Sequence, residues 1–125
     1  MARIGRIVPP LLLMGVIFYL SAQPDLNSGL GTWDAILRKG AHMTEFGLLW
    51  FLWTRVTGPF GALAISLAYA ASDEFHQTFV DGRHGTPWDW AIDAAGIGIA
   101  AGLWVAWQLR RAREAQLVTD VTRTR

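Results

Sequence analysis

YAASDEFHQTFVDGRHGTPWDWAID, residues 69–93, places Asp73, Glu74, His76, Gln77, Arg83, His84, Asp89 and Asp93 in one short span between almost wholly apolar flanks. Its middle reads as a connection between two helices. Asp81-Gly82 is a turn signal. Thr86-Pro87-Trp88-Asp89 has the chemistry of a helix start, with Thr86 as N-cap, Pro87 at the first helical position and Asp89 at the third. So much ionisable chemistry between greasy segments predicts polar groups gathered where two apolar helices meet.

Working outward, the chain shows four apolar runs, read as helices at about 7–22, 35–55, 59–80 and 88–109, with a tail over 110–125. Each approaches the roughly 20 residues that a helix needs to cross a bilayer. Pro9 and Pro10 suit a first helical turn. The 125 residues suffice for one domain. Charged residues are 17% of the chain, against about 25% in soluble domains, so a soluble four-helix bundle is disfavoured. A cleaved N-terminal signal is disfavoured as well: Leu20 stands where a small residue should precede a cut after Ala22, and three greasy runs would still need a membrane. The expectation is an all-α, integral membrane four-helix bundle in the cytoplasmic (inner) membrane. A net charge of +1 excludes a nucleic-acid partner on bulk charge, and the absence of cysteine excludes disulfides and thiolate metal sites.

Orientation follows from the basic residues. With both termini cytoplasmic, Arg3, Arg6, Arg55, Arg110, Arg111, Arg113, Arg123 and Arg125 lie inside, eight of eleven, and Arg38, Lys39 and Arg83 lie outside. That is the positive-inside pattern.

Helical spacing then sets the depth of the polar groups. At 1.5 Å per residue Glu45, Asp73 and Asp93 lie ~12, ~10 and ~7 Å below the outer edge of their helices. Three helices thus deliver polar groups to one outer layer. A charge at mid-bilayer costs about 2.5–3.5 kcal/mol, so these groups must face one another or water. Glu45, Asp73, Glu74, Asp89 and Asp93 outnumber the permanent cations Lys39 and Arg83 by three. Shared protons, protonated His42, His76 or His84, or a bound cation must resolve that excess. On the third helix Ser72, His76, Tyr69, Asp73, Ser66 and Gln77 share one arc, with Glu74 directed away from its centre. Two stripes of small residues, Ala64-Ala68-Ser72 and Ala94-Gly98-Gly102, are expected at helix contacts or at a homo-oligomer interface.

Each polar residue also has a plain reading. Asp89 caps a helix, Lys39 snorkels to headgroups, Glu74 and His84 are solvated at a rim, and the Trp residues at helix ends form an aromatic belt. His42, Glu45, Asp73 and His76 are the hardest to dismiss at their depth. They are the candidate catalytic groups or ligands for a divalent cation, because His and a carboxylate three residues apart on a helix permit ligation. No fixed enzyme signature or phosphate loop is present.

The segments SAQP (21–24), RKGAHMTEFGLL (38–49) and AYAASDEFHQTFVDGRHGTPWDWAIDAAG (68–96) resemble the VanZ-like family, over residues 20–102. Asp81 stands where that pattern has Pro, and Phe46 where Tyr is common. The resemblance implies a small multi-helix bacterial membrane protein whose namesake is associated with raised resistance to the glycopeptide teicoplanin. It also implies Lys39, His42, Glu45, Ser72, Asp73, Glu74, His76, Gln77, Arg83, Asp89 and Asp93 as signature, ligand-binding positions. The leading expectation is an outer-leaflet acidic and histidine-containing pocket for a polar or cationic lipid or cell-envelope headgroup. The rival is a metal- or acid/base-dependent membrane enzyme acting on a lipid-linked substrate. A proton-coupled transporter is a third class, and it would need oligomers.

Overall fold

In a computed structural model, the protein is described over residues 4–24 and 31–123. Among these residues the regular elements are three helices: α1 (Ile4–Ser21), α2 (Thr32–Gln77) and α3 (Pro87–Arg123). The connection over 25–30 and the terminal Arg3 and Arg125 of the orientation count lie outside the described residues. The four expected helices are found as three elements, each long and apolar enough to cross a membrane, because the second and third form one kinked element.

The kink has a local cause. The expected second and third helices join into one element of 46 residues. It is two helices meeting at a kink at Gly58, whose φ of 79° and ψ of 173° are not helical. A straight helix would separate residues 46 and 69 by ~35 Å. Instead the Phe46 and Tyr69 rings lie 6.2 Å apart, and the Trp50 indole N–H donates to the Pro59 carbonyl at 3.3 Å. α2 therefore doubles back at Gly58-Pro59, where only glycine tolerates the required backbone and proline starts the new arm without needing an N–H partner. We call residues 32–57 its descending arm and 59–77 its returning arm.

α1 and α3 each pack on α2 and not on each other. The Tyr69 hydroxyl donates to the Met14 carbonyl at 2.6 Å, which ties α1 to the returning arm. α3 runs alongside the descending arm and the two touch backbone to backbone. A β-carbon on Gly96 would collide with Met43, and one on Gly47 would come within 3.0 Å of the Gly96 carbonyl. The expected small-residue stripes are not the ones that pack within the chain. Gly98 and Gly102 have open space around them, and Ala64, Ala68 and Ser72 are exposed. The buried stripe on the returning arm is Ala62, Ser66 and Ala70, beside Ile17, Phe46, Leu49 and Ile97.

Large apolar side chains cover the outside, as on a lipid-facing surface: Leu12 is 66% exposed, Phe60 86% and Leu103 69%. The expected tail over 110–125 is instead helical through Arg123. Arg, Glu, Ala, Gln and Leu there are good helix formers, and α3's 37 residues extend ~55 Å, well beyond the ~30 Å apolar thickness of a bilayer.

Candidate functional site

α1 ends, the descending arm begins, the returning arm ends and α3 begins at one end of the bundle. Turn chemistry completes that end. The Arg83 N–H donates to the Val80 carbonyl at 3.1 Å, closing a turn over Gly82, whose φ is 75°. Thr86 caps α3 as expected: its hydroxyl accepts the Asp89 N–H at 3.1 Å and donates to Asp89 Oδ2 at 2.7 Å.

These ends enclose a cavity of about 260 Å³, lined by Arg38, Lys39 and His42 of the descending arm, Glu74 and Gln77 of the returning arm, Arg83 and His84 of the turn, and Asp89 and Asp93 of α3. Its floor is acidic and buried: Asp93 is 0% exposed and Glu74 7%. His42 Nδ1 lies 3.3 Å from Asp93 Oδ1, yet neither Asp93 oxygen receives an aligned hydrogen bond among the described residues. One ligand atom from each of His42, Glu74 and Asp93 lies within 4.8 Å of the other two. Glu74 Oε2 accepts the Thr86 N–H at 3.1 Å, which holds the floor to the start of α3. Gly85 allows this closeness, because a β-carbon there would run into the Glu74 carbonyl.

The rim is basic. Lys39 Nζ donates to Asp89 Oδ1 at 2.9 Å with 44% of its side chain exposed, and an Arg83 guanidinium N–H donates to the Leu20 carbonyl at 3.3 Å. With Arg38, the lining carries three permanent cations and three carboxylates. The sequence-level charge count omitted Arg38, although Arg38-Lys39 is visible as a basic pair.

The remaining positions divide. Asp73 is 2% exposed and sits behind the cavity wall. Its Oδ2 accepts the Ser21 hydroxyl at 2.7 Å and the Gln77 amide at 2.9 Å, so Gln77 links it to the cavity. Glu45 does not line the cavity, though its charge interacts with those of His42, Asp73, Asp93 and Arg83. His76 faces the other way and stacks on Phe18 of α1 with centroids 4.3 Å apart. Ser72 is exposed, and its hydroxyl turns back to the Tyr69 carbonyl at 2.7 Å. Glu74, a signature position set off the centre of its helix's polar arc, is part of the floor, and the plain reading of it as solvated at a rim does not hold. The histidine–carboxylate grouping is thus His42 with Glu74 and Asp93, rather than His42 with Glu45, Asp73 and His76. Ser21, Arg38 and Gly85 were not singled out in advance, although Ser21 opens the SAQP segment.

Compared with known proteins, the sequence profile described as VanZ/LLP1 matches residues 7–108. The chain belongs to the VanZ/LLP1 family. No curated protein and no solved structure matches it. The VanZ/LLP1 match spans α1, both arms of α2 and the start of α3 through Gln108, and so includes every residue of the cavity; the exposed end of α3 beyond 108 falls outside it.

Proposed function

We propose that this VanZ/LLP1 protein is a multi-pass protein of the bacterial cytoplasmic membrane whose cavity binds the polar headgroup of an envelope lipid or lipid-linked molecule. The observation that carries the reading is the division of the cavity into a buried acidic floor and a basic rim. A buried floor of two carboxylates, of which Asp93 has no aligned donor, seeks positive charge, whereas Arg38, Lys39 and Arg83 at the mouth suit a phosphate or carboxylate. A ligand carrying both signs satisfies both layers, and an amphiphile brings such a headgroup to this depth. Arg55, Arg110, Arg111 and Arg113 lie at the opposite end of the bundle. By the positive-inside rule that end and both termini are cytoplasmic, and the cavity opens at the outer leaflet. Holding an envelope headgroup there is how such a protein would lower sensitivity to teicoplanin-type glycopeptides.

The test is calorimetric titration of dihexanoyl phosphatidylethanolamine, a short-chain lipid with a phosphate and an amine, into the protein in phosphatidylcholine nanodiscs. Saturable binding that weakens at least tenfold in Lys39→Gln/Arg83→Gln, with the helices retained, supports the reading. Binding of equal strength in that variant, or none in the wild type, overturns it.

The second reading, a membrane enzyme acting on a lipid-linked substrate, is favoured by one observation: an imidazole and two carboxylates share the floor of a ligand-sized opening. Turnover of such a substrate that Glu74→Gln abolishes would establish it.

A further inference from the structure

The floor of the cavity poses a chemical problem that the headgroup reading leaves open. Asp93 is fully buried, and both of its oxygens lack an aligned donor. An uncompensated buried carboxylate is costly enough that proteins pair it or give it a metal. Its neighbour does not supply an ordinary hydrogen bond. Charge-assisted N–H···O bonds run about 2.7–2.9 Å, whereas His42 Nδ1 stands 3.3 Å from Asp93 Oδ1. That spacing is the edge of another figure. Two ligands bound to one tetrahedral zinc at about 2.0–2.1 Å lie ~3.3–3.4 Å apart. Glu74, from the returning arm, supplies a third ligand atom within 4.8 Å of the other two.

We infer that His42, Glu74 and Asp93 form a binding site for one divalent transition-metal cation of the zinc type, with its open coordination position facing the cavity. One imidazole and two carboxylates are a nitrogen–oxygen donor set that zinc accepts. Three ligands with a vacant fourth position form an open site rather than a closed structural one. The cation cancels the floor's negative charge and presents a Lewis-acidic contact to an anionic group held at the rim. It also joins the descending arm, the returning arm and α3 at one point, so metal binding stiffens the end of the bundle that holds the ligand. The inference rests on the headgroup reading only for what fills the fourth position; the metal site stands on the three side chains themselves.

The experiment uses the tag-free full chain in nanodiscs, stripped with EDTA and then titrated with zinc chloride. Calorimetry and elemental analysis should give one zinc per chain. Asp93→Asn and Glu74→Gln should each weaken binding at least tenfold, and Ser72→Ala, outside the cavity, should leave it within threefold. The melting temperature of the wild type should rise with zinc, and that of Asp93→Asn should not. Substoichiometric zinc, or equal affinity in wild type and Asp93→Asn, overturns the inference. Titrating dihexanoyl phosphatidylethanolamine with and without zinc separates the two claims. Full-strength lipid binding in EDTA, with no zinc site, leaves the headgroup reading standing and removes the metal. A zinc site without lipid binding does the reverse.

Discussion

Gly96 of α3 lies against Met43 of the descending arm so closely that a β-carbon on Gly96 would come 2.6 Å from Met43 Cα. Met43 follows His42 directly and Gly96 lies three residues beyond Asp93, so the spacing of the two helices there also sets the geometry of the cavity floor. Gly96→Val should force the helices apart and destabilise the protein by about 1–3 kcal/mol, the usual cost of overpacking. Gly98→Ala, with open space around it, should leave thermal melting in detergent unchanged. Equal melting temperatures for the two variants would remove this contact from the account.

The bend of α2 makes a second prediction. Gly58 holds a φ of 79° and a ψ of 173°, a region nearly closed to other residues. Gly58→Ala should cost about 1–3 kcal/mol, read as a lower denaturation midpoint, although the site is distant from the cavity and a β-carbon there meets no neighbouring atom. A wild-type midpoint would mean that the chain turns without this conformation.

Asp73 separates structure from charge. Asp73→Ala leaves the Ser21 hydroxyl and the Gln77 amide without their acceptor, an expected loss of about 1–3 kcal/mol. Asp73→Asn keeps an oxygen acceptor, so it should insert and melt within about 1 kcal/mol of wild type while weakening headgroup binding through the lost negative charge beside the cavity. Unchanged ligand affinity in Asp73→Asn would show that this carboxylate serves the fold alone.

The orientation is open to direct labelling, because the chain contains no cysteine. A membrane-impermeant maleimide added to intact cells should label Asp81→Cys in the cavity-end turn and should miss Arg113→Cys until the cells are permeabilised. The opposite pattern would place the cavity in the cytoplasm and reverse the proposed ligand source.

Much of this architecture is legible in the residues themselves. Apolar runs without charge locate the helices, and Thr86-Pro87-Trp88-Asp89 marks the start of α3 correctly because capping depends on local chemistry. Depth counting brings Glu45, Asp73 and Asp93 to one layer, and of these Asp93 lines the cavity. Gly58-Pro59 is legible as turn chemistry between two apolar runs, and the non-helical backbone of Gly58 is where α2 bends. The place of Glu74 on the floor has a tertiary reason. A helical wheel assigns one inward face, yet the returning arm has three neighbours. Asp73 faces Ser21 of α1, the Tyr69 ring packs near Phe46 of the descending arm, and Glu74 meets Thr86 at the start of α3. The small-residue stripes do not pack within the chain for a similar reason, since spacing alone does not say which of several faces is packed. Beyond Leu109 charge ends the apolar run and with it the membrane segment, while residues of high helix propensity carry the helix on through the tail.

The central claim is that polar side chains from the descending arm and from α3 face one another across a single chamber. A short bis-methanethiosulfonate cross-linker applied to Lys39→Cys/Asp89→Cys in native membranes tests it most directly, with proteolysis between the two positions before electrophoresis. The account predicts efficient joining of the two fragments, and none for a Lys39→Cys/Gly98→Cys control. Fragments that separate in the first variant, or join equally in both, would contradict it.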